Sequence, residues 1–172
     1  MLSESIRRHF LQFCAVELEP LAFEAWICAA DGVESQIGHT AYLDLVSADY
    51  QGRDVAGMLD LCKALLEQHH PGSLNRYRSI KILESMLKDD AALLAGLRQL
   101  VALRHEGCEF IPDEFVGFES ETDAIPSPAA YHLWDPAALA ELLGRGAPYL
   151  KLIKRSTQEF LDDLRRAYPD DV

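Results

Sequence analysis

Carboxylates are the most abundant reactive groups in this sequence, with 28 Asp and Glu against 16 Lys and Arg and a net charge of −12. Six of them fall in one short run: Glu109, Asp113, Glu114, Glu119, Glu121 and Asp123. Glu119, Glu121 and Asp123 alternate, so an extended backbone would place all three on one face, where they would repel one another. Such a face suits a cation, or the Lys and Arg side chains of a partner. The same pattern also describes a solvated acidic loop. Six histidines are scattered through the chain: His9, His39, His69, His70, His105 and His132. A helical metal site needs ligands at i, i+4 or on facing helices. His69 and His70 are adjacent, so they diverge, and Pro71-Gly72 behind them marks a surface turn. Cys108 lies close to His105, but Glu106 and Glu109 would raise its thiol pKa rather than activate it. GRGAP at 144–148 lacks the Lys-Ser/Thr of a phosphate loop, and no G-x-S-x-G elbow is present. The basic run NRYRSIK at 75–81 is a weak signal for nucleic acid in so acidic a chain. Internal pairing with acids accounts for it. The residues supply no catalytic set, no metal site and no cofactor site, so the chain reads as a non-enzyme.

The charge is uneven. Residues 17–60 carry nine acids and one base, Arg53, and residues 106–141 carry nine acids and no base. Between them, residues 63–105 carry seven bases and four acids. Two acidic blocks repel nucleic acid and anionic membranes and attract basic partners, although acidity also serves solubility. At 172 residues the chain fits one domain. Its 49% hydrophobic and 26% charged residues suit a buried core. No apolar run approaches the ~20 residues of a membrane span. MLSESIRRHFLQF has no signal-peptide apolar region, so a cytoplasmic protein is expected. Cys14, Cys28, Cys62 and Cys108 are widely spaced in apolar contexts. They are expected to be buried, reduced thiols.

Apolar periodicity predicts a mainly α fold, a single-domain bundle of about seven helices. Ser3 caps a first helix through residue 17, and Pro20 opens a second carrying Phe23, Trp26 and Ile27 on one stripe. Gly38 ends a short helical turn. Tyr42, Leu45, Val46 and Tyr50 fit a helix over 40–50, although a short strand is the alternative there. Arg53 begins a clear helix through residue 68. Further helices follow over 73–88 and, after Asp89-Asp90, over 91–106. Asp135-Pro136 starts a short helix that Gly144 stops. Pro148 starts the last helix, and residues 169–172 are a frayed tail. Residues 108–135 show no clear helical period. They read as an irregular segment near 109–134 in which 115–119 pairs with 131–134 as short β strands.

One run carries a resemblance. Phe23 and Trp26 form an F-x-x-W pattern, followed by Val33-Glu34-x-x-Ile37-Gly38 and then by Ala41-Tyr42-Leu43-Asp44-Leu45-Val46-Ser47-Ala48-Asp49-Tyr50. This resembles the small immunity proteins of bacterial polymorphic-toxin and contact-dependent inhibition systems over about residues 20–66. The resemblance implies an antitoxin that neutralises a cognate toxin by covering its active or substrate-binding surface. It also implies a toxin with a basic surface, nucleases being common among such toxins. It transfers no site residue. The partner-binding expectation comes instead from the charge map and the aromatics beside it. It names Asp44, Asp49 and Asp54 in one turn. In the second block it names Glu109, Asp113, Glu114, Phe115, Phe118, Glu119, Glu121 and Asp123. An enzyme with a carboxylate-lined pocket and a structural helical subunit remain the alternatives, and a homodimer is left open.

Overall fold

The computed structural model describes residues 1–52 and 54–171. Among the described residues the chain is all-helical, with no strand. The helices are α1 (Glu4–Cys14), α2 (Pro20–Ala29), α3 (Val33–Ile37), α4 (His39–Val46), α5 (Val55–His69), α6 (Ser73–Met86), α7 (Asp90–His105), α8 (Glu114–Thr122) and α9 (Pro136–Ala167), with 3₁₀ turns at Pro128–Leu133 and Pro169–Asp171. The helical reading of 40–50 holds as far as Val46, with a turn over 47–50, and the strand alternative does not. The expected start of the fifth helix at Arg53 lies outside the described residues. The short β pairing expected within 109–134 is replaced by α8 and a 3₁₀ turn. Phe115 and Thr122 are buried seven residues apart, with Phe118 and Glu119 half-buried between them. That is a helix face, and Glu114, Glu119 and Glu121, with Gly117 among them, hid its period.

Contacts gather the chain into two compact units, one of residues 1–78 with Asp171, the other of residues 79–170. In the first, α1 packs on α5 and on α2, and α4 packs on α2, α3 and α5. Its core is aromatic. Phe13 and Phe23 stack with ring centres 4.1 Å apart and planes 10° from parallel. Phe10 and Trp26 lie against Phe23, and His9 stacks on Trp26 at 4.1 Å. Phe10, Phe23, Ile27 and Leu45 have no accessible surface. Gly38 joins α3 to α4 at φ +88°, a left-handed conformation that a side chain disfavours. Cys28 is exposed, contrary to its expected burial. Phe23 and Ile27 turn the other side of α2 inward, leaving Cys28 one residue round from the buried stripe.

The C-terminal residues are not frayed up to Asp171. Its carboxylate is 3% exposed and accepts from Arg76 Nε at 2.6 Å, with Arg7 Nη1 at 3.5 Å. Apolar spacing could not announce an anchor made of charge.

In the second unit α7 packs on α8 and α9, and α8 on α9. Asp89 caps α7 by accepting from the Ala92 amide at 2.8 Å. Leu93, Leu97 and Leu100 of α7 are buried with Phe115, Ile153 and Leu161. Asp135 caps α9, accepting from the Ala137 and Ala138 amides at 3.0 Å each. The two helices expected over 137–143 and from 148 onward are one, because α9 runs through Gly144, Gly146 and Pro148. Gly146 is a contact point rather than a stop. A Cβ there would fall 2.5 Å from Ile125 Cδ1, so its lack of a side chain lets Ile125 seat on the helix. Pro148 has no N–H for the carbonyl of Gly144, one turn back, and Gly144 is exposed, which leaves its carbonyl open to solvent.

Replacing Pro148 by Ala restores the missing bond and removes the ring clash. Proline costs about 3 kcal/mol relative to Ala in a helix interior, offset by about 0.4–1 kcal/mol of lost restriction on the unfolded chain. Pro148→Ala is therefore expected to stabilise the second unit by about 2 kcal/mol, measured by chemical denaturation. An unchanged or lowered midpoint would show that α9 is not continuous through this position.

Candidate functional site

Residues three and four apart line one face of a helix. On α5 the stripe Gly57, Met58, Leu61, Leu65 and Gln68 follows that spacing, with Asp54 just before the helix. On α4 and just past its end the stripe is Ala41, Asp44, Ser47 and Ala48. Ala41 shares its part of the surface with Leu65 and Gln68, while Ser47 and Ala48 share theirs with Asp54 and Gly57. The helices therefore run antiparallel, and the two stripes enclose a continuous trough. Two hollows make it up, about 540 and 510 Å³, joined at Asp44 and Leu61. Small residues on both walls keep it open, and a Cβ on Gly57 would meet nothing within 4 Å.

The trough is apolar at its base and acidic above. Met58 and Leu65 are buried, and Leu61 is half-buried. Asp44 and Asp54 are exposed, as is Asp49 in the turn between the helices. The Asp49 carboxylate accepts from the Gln51 amide at 3.0 Å, and that of Asp54 accepts from the Asp49 amide at 3.3 Å. Asp44 has no ion-pair partner among the described residues. At the far end His39 Nδ1 lies 2.6 Å from a Glu34 carboxylate oxygen. No Lys or Arg stands among the described lining residues. Sequence reasoning found the three aspartates by charge, but missed Gly57, Met58 and Leu61, whose spacing on α5 was legible while the trough opposite them was not.

The second predicted set is spread over α8 and its flanks. Glu109, Asp113, Glu114, Glu121 and Asp123 are exposed, and Glu119 is half-buried. Glu119 and Glu121 do not share a face, because two residues of a helix turn through about 200°. Asp113 Oδ1 accepts from Arg104 Nε at 3.1 Å and Nη2 at 2.9 Å. A hydrogen bond with Glu121 pushes the Tyr149 hydroxyl pKa up. Phe115 is 0% exposed, packed against Phe118 and Phe160, and is a core residue rather than a surface anchor. Phe118 is half-buried. Asp113 and Glu121 are thus already engaged within the second unit.

Other titratable groups in the first unit serve its interior. The hydrogen bond Cys62 shares with Cys14, together with burial, pushes the Cys62 thiol far up, so it stays protonated. Burial pushes the Tyr50 hydroxyl up as well. The described residues contain no group of three or more His, Cys, Asp or Glu placed to hold a metal ion. No helix among them is long and apolar enough to cross a membrane. No family model, curated protein or solved structure matches the chain.

His70 gives this unit a pH dependence. Its Nε2 donates to the Leu2 carbonyl at 3.3 Å. Burial, then the nearby Arg7 cation, lowers its pKa below the ordinary 6.5. Below pH 6.5 the unfolded chain takes up a proton that the folded chain resists, so stability held above that pH is lost as pH falls through the folded value. Comparing urea midpoints at pH 7.5 and 5.5, the native chain should lose more than His70→Gln, which keeps a donor near Leu2 but cannot titrate. Equal losses would show that His70 is not the group responsible.

Proposed function

We propose that this chain is a non-catalytic binding protein of the immunity type, which neutralises a cognate bacterial toxin in the cytoplasm by covering a basic active or substrate-binding surface. The observation that carries this reading is the trough between α4 and α5, with Asp44 where its hollows join and Asp54 at one end, apolar at its base and without a Lys or Arg among its described lining residues. An acidic face meeting a basic one accelerates encounter and discriminates against acidic partners. Apolar surface beside it supplies the desolvated contact from which most binding energy comes. The resemblance over residues 20–66 supports the same reading. The exposed acids of α8 and its flanks offer a second place for a basic partner, although Asp113 is already paired with Arg104.

The test is co-expression with the toxin encoded beside this gene. The chain is expected to restore growth and to bind the purified toxin with an affinity that falls steeply as salt rises. Reversing Glu119, Glu121 and Asp123 to Lys together measures the share carried by α8, through the on-rate and its salt dependence. If the chain gave no protection against any neighbouring toxin, the immunity reading would fall.

A further inference from the structure

We propose that the trough between α4 and α5 is a docking site for one basic amphipathic helix of a partner protein. The inference rests on the binding reading above and commits it to one surface and one kind of occupant. Three observations support it.

The first is shape. The α5 wall runs from Asp54 to Gln68, about 20 Å at 1.5 Å per residue. A furrow between two antiparallel helices accepts a third helix, ridges into grooves. An extended peptide gains no such fit. The backbone groups of α4 and α5 are already bonded within their helices, so a strand laid between them would leave its own amides without partners. A helix brings its backbone satisfied, as in helix-in-groove recognition.

The second is the division of the lining into two chemistries. Met58, Leu61 and Leu65 form an apolar base, and Gly57 leaves open space beside it. An apolar side chain from the occupant fills that space. Asp44, where the two hollows join, and Asp54 at the α5 start stand above. An occupant with an apolar stripe flanked by Lys or Arg matches both layers, whereas an acidic or wholly apolar helix matches only one.

The third is availability. Asp44 is exposed and has no ion-pair partner among the described residues, while Asp113 in the other acidic set already holds Arg104 at 2.9 Å. A cation docking at Asp44 displaces no internal pair.

The probe is a synthetic helical peptide of about 18 residues, roughly 27 Å long, with Leu at i, i+3, i+4 and i+7 and Lys elsewhere. Its control has the same composition with Leu and Lys shuffled so that no apolar stripe forms. Binding to the full chain is followed by calorimetry at several salt concentrations and by amide chemical shifts. The striped peptide is expected to bind at least about tenfold tighter than the control, a difference of about 1.4 kcal/mol, with shifts confined to α4, α5 and their turn. Gly57→Leu fills the trough. The site is exposed and leucine is the better helix former, so this variant folds, and it should weaken the peptide about tenfold or more. Asp44→Asn with Asp54→Asn should flatten the salt dependence without changing the circular dichroism.

Equal affinity for both peptides, shifts centred on α8, or unchanged binding by Gly57→Leu would each overturn the proposal. So would a dimer of the native chain that Gly57→Leu dissociates, because a second copy would then be the occupant. The toxin assay separates the two readings. Protection that survives Gly57→Leu but is lost on reversing the α8 acids keeps the immunity reading and removes the trough. A trough that binds the peptide, in a chain that protects against no toxin, does the opposite.

Discussion

Tyr50 donates its hydroxyl to the Leu45 carbonyl at 2.8 Å, and its ring lies 6.4 Å from Phe13 and 6.1 Å from Phe23. The side chain is 4% exposed. Leu45 lies in the last turn of α4, where carbonyls have no intrahelical donor, and the phenol satisfies one of them. Burial in turn holds that phenol protonated and able to donate. One residue thus ties the end of α4 to the aromatic core shared by α1 and α2. The helical pair α4–α5 inherits its position from that tie. If the ring moved outward, the end of α4 would lose its anchor, and the trough its upper wall.

The two kinds of acid in this chain follow different physics. Asp171 is buried, and removing either arginine would leave a charge without full compensation, a change worth several kcal/mol in general. Asp44, Asp49 and Asp54 are exposed, so water already solvates them and they contribute little to stability. They also lie close enough in sequence to repel one another at low salt. Acids that cost stability rather than supply it are ones a fold can lose without harm.

The helices were largely legible because their signal is local. Phe23 and Ile27, or Leu93, Leu97 and Leu100, announce a buried face through spacing alone. Asp89 and Asp135 announce starts through cap chemistry, and both side chains make those bonds. Misreadings came where a local signal was overruled by a distant contact. Gly144 and Pro148 looked like a stop and a new start, but α9 runs through both, with Ile125 seated on Gly146 between them. Asp171 looked like a tail residue until Arg7 and Arg76 were found on either side. Phe115 looked like an anchor offered to a partner, but α8 turns it inward. Of the candidate site, the aspartates were legible by charge. The trough was not, because it depends on α4 and α5 being antiparallel and on what their small residues leave unfilled.

The run that resembles immunity proteins carries two messages on α4 and the turn that follows it. Leu45 and Tyr50 are buried and hold the fold. Ala41, Asp44, Ser47 and Ala48 line the trough, although both alanines also pack against the edge of the core and Ser47 Oγ donates to the Leu43 carbonyl at 2.6 Å. These sets interleave along the sequence yet point to different surroundings, as helical periodicity requires. A pattern dominated by Leu, Tyr and Val therefore reports the scaffold. Partner choice would rest on positions between them such as Asp44, which is exposed and can change size or charge without touching the core. Adding a methyl at Ala41 or Ala48 narrows the trough, and a change at Asp44 alters its charge where the two hollows join. A scaffold of this kind can keep its aromatic core while the exposed charge on its surface changes.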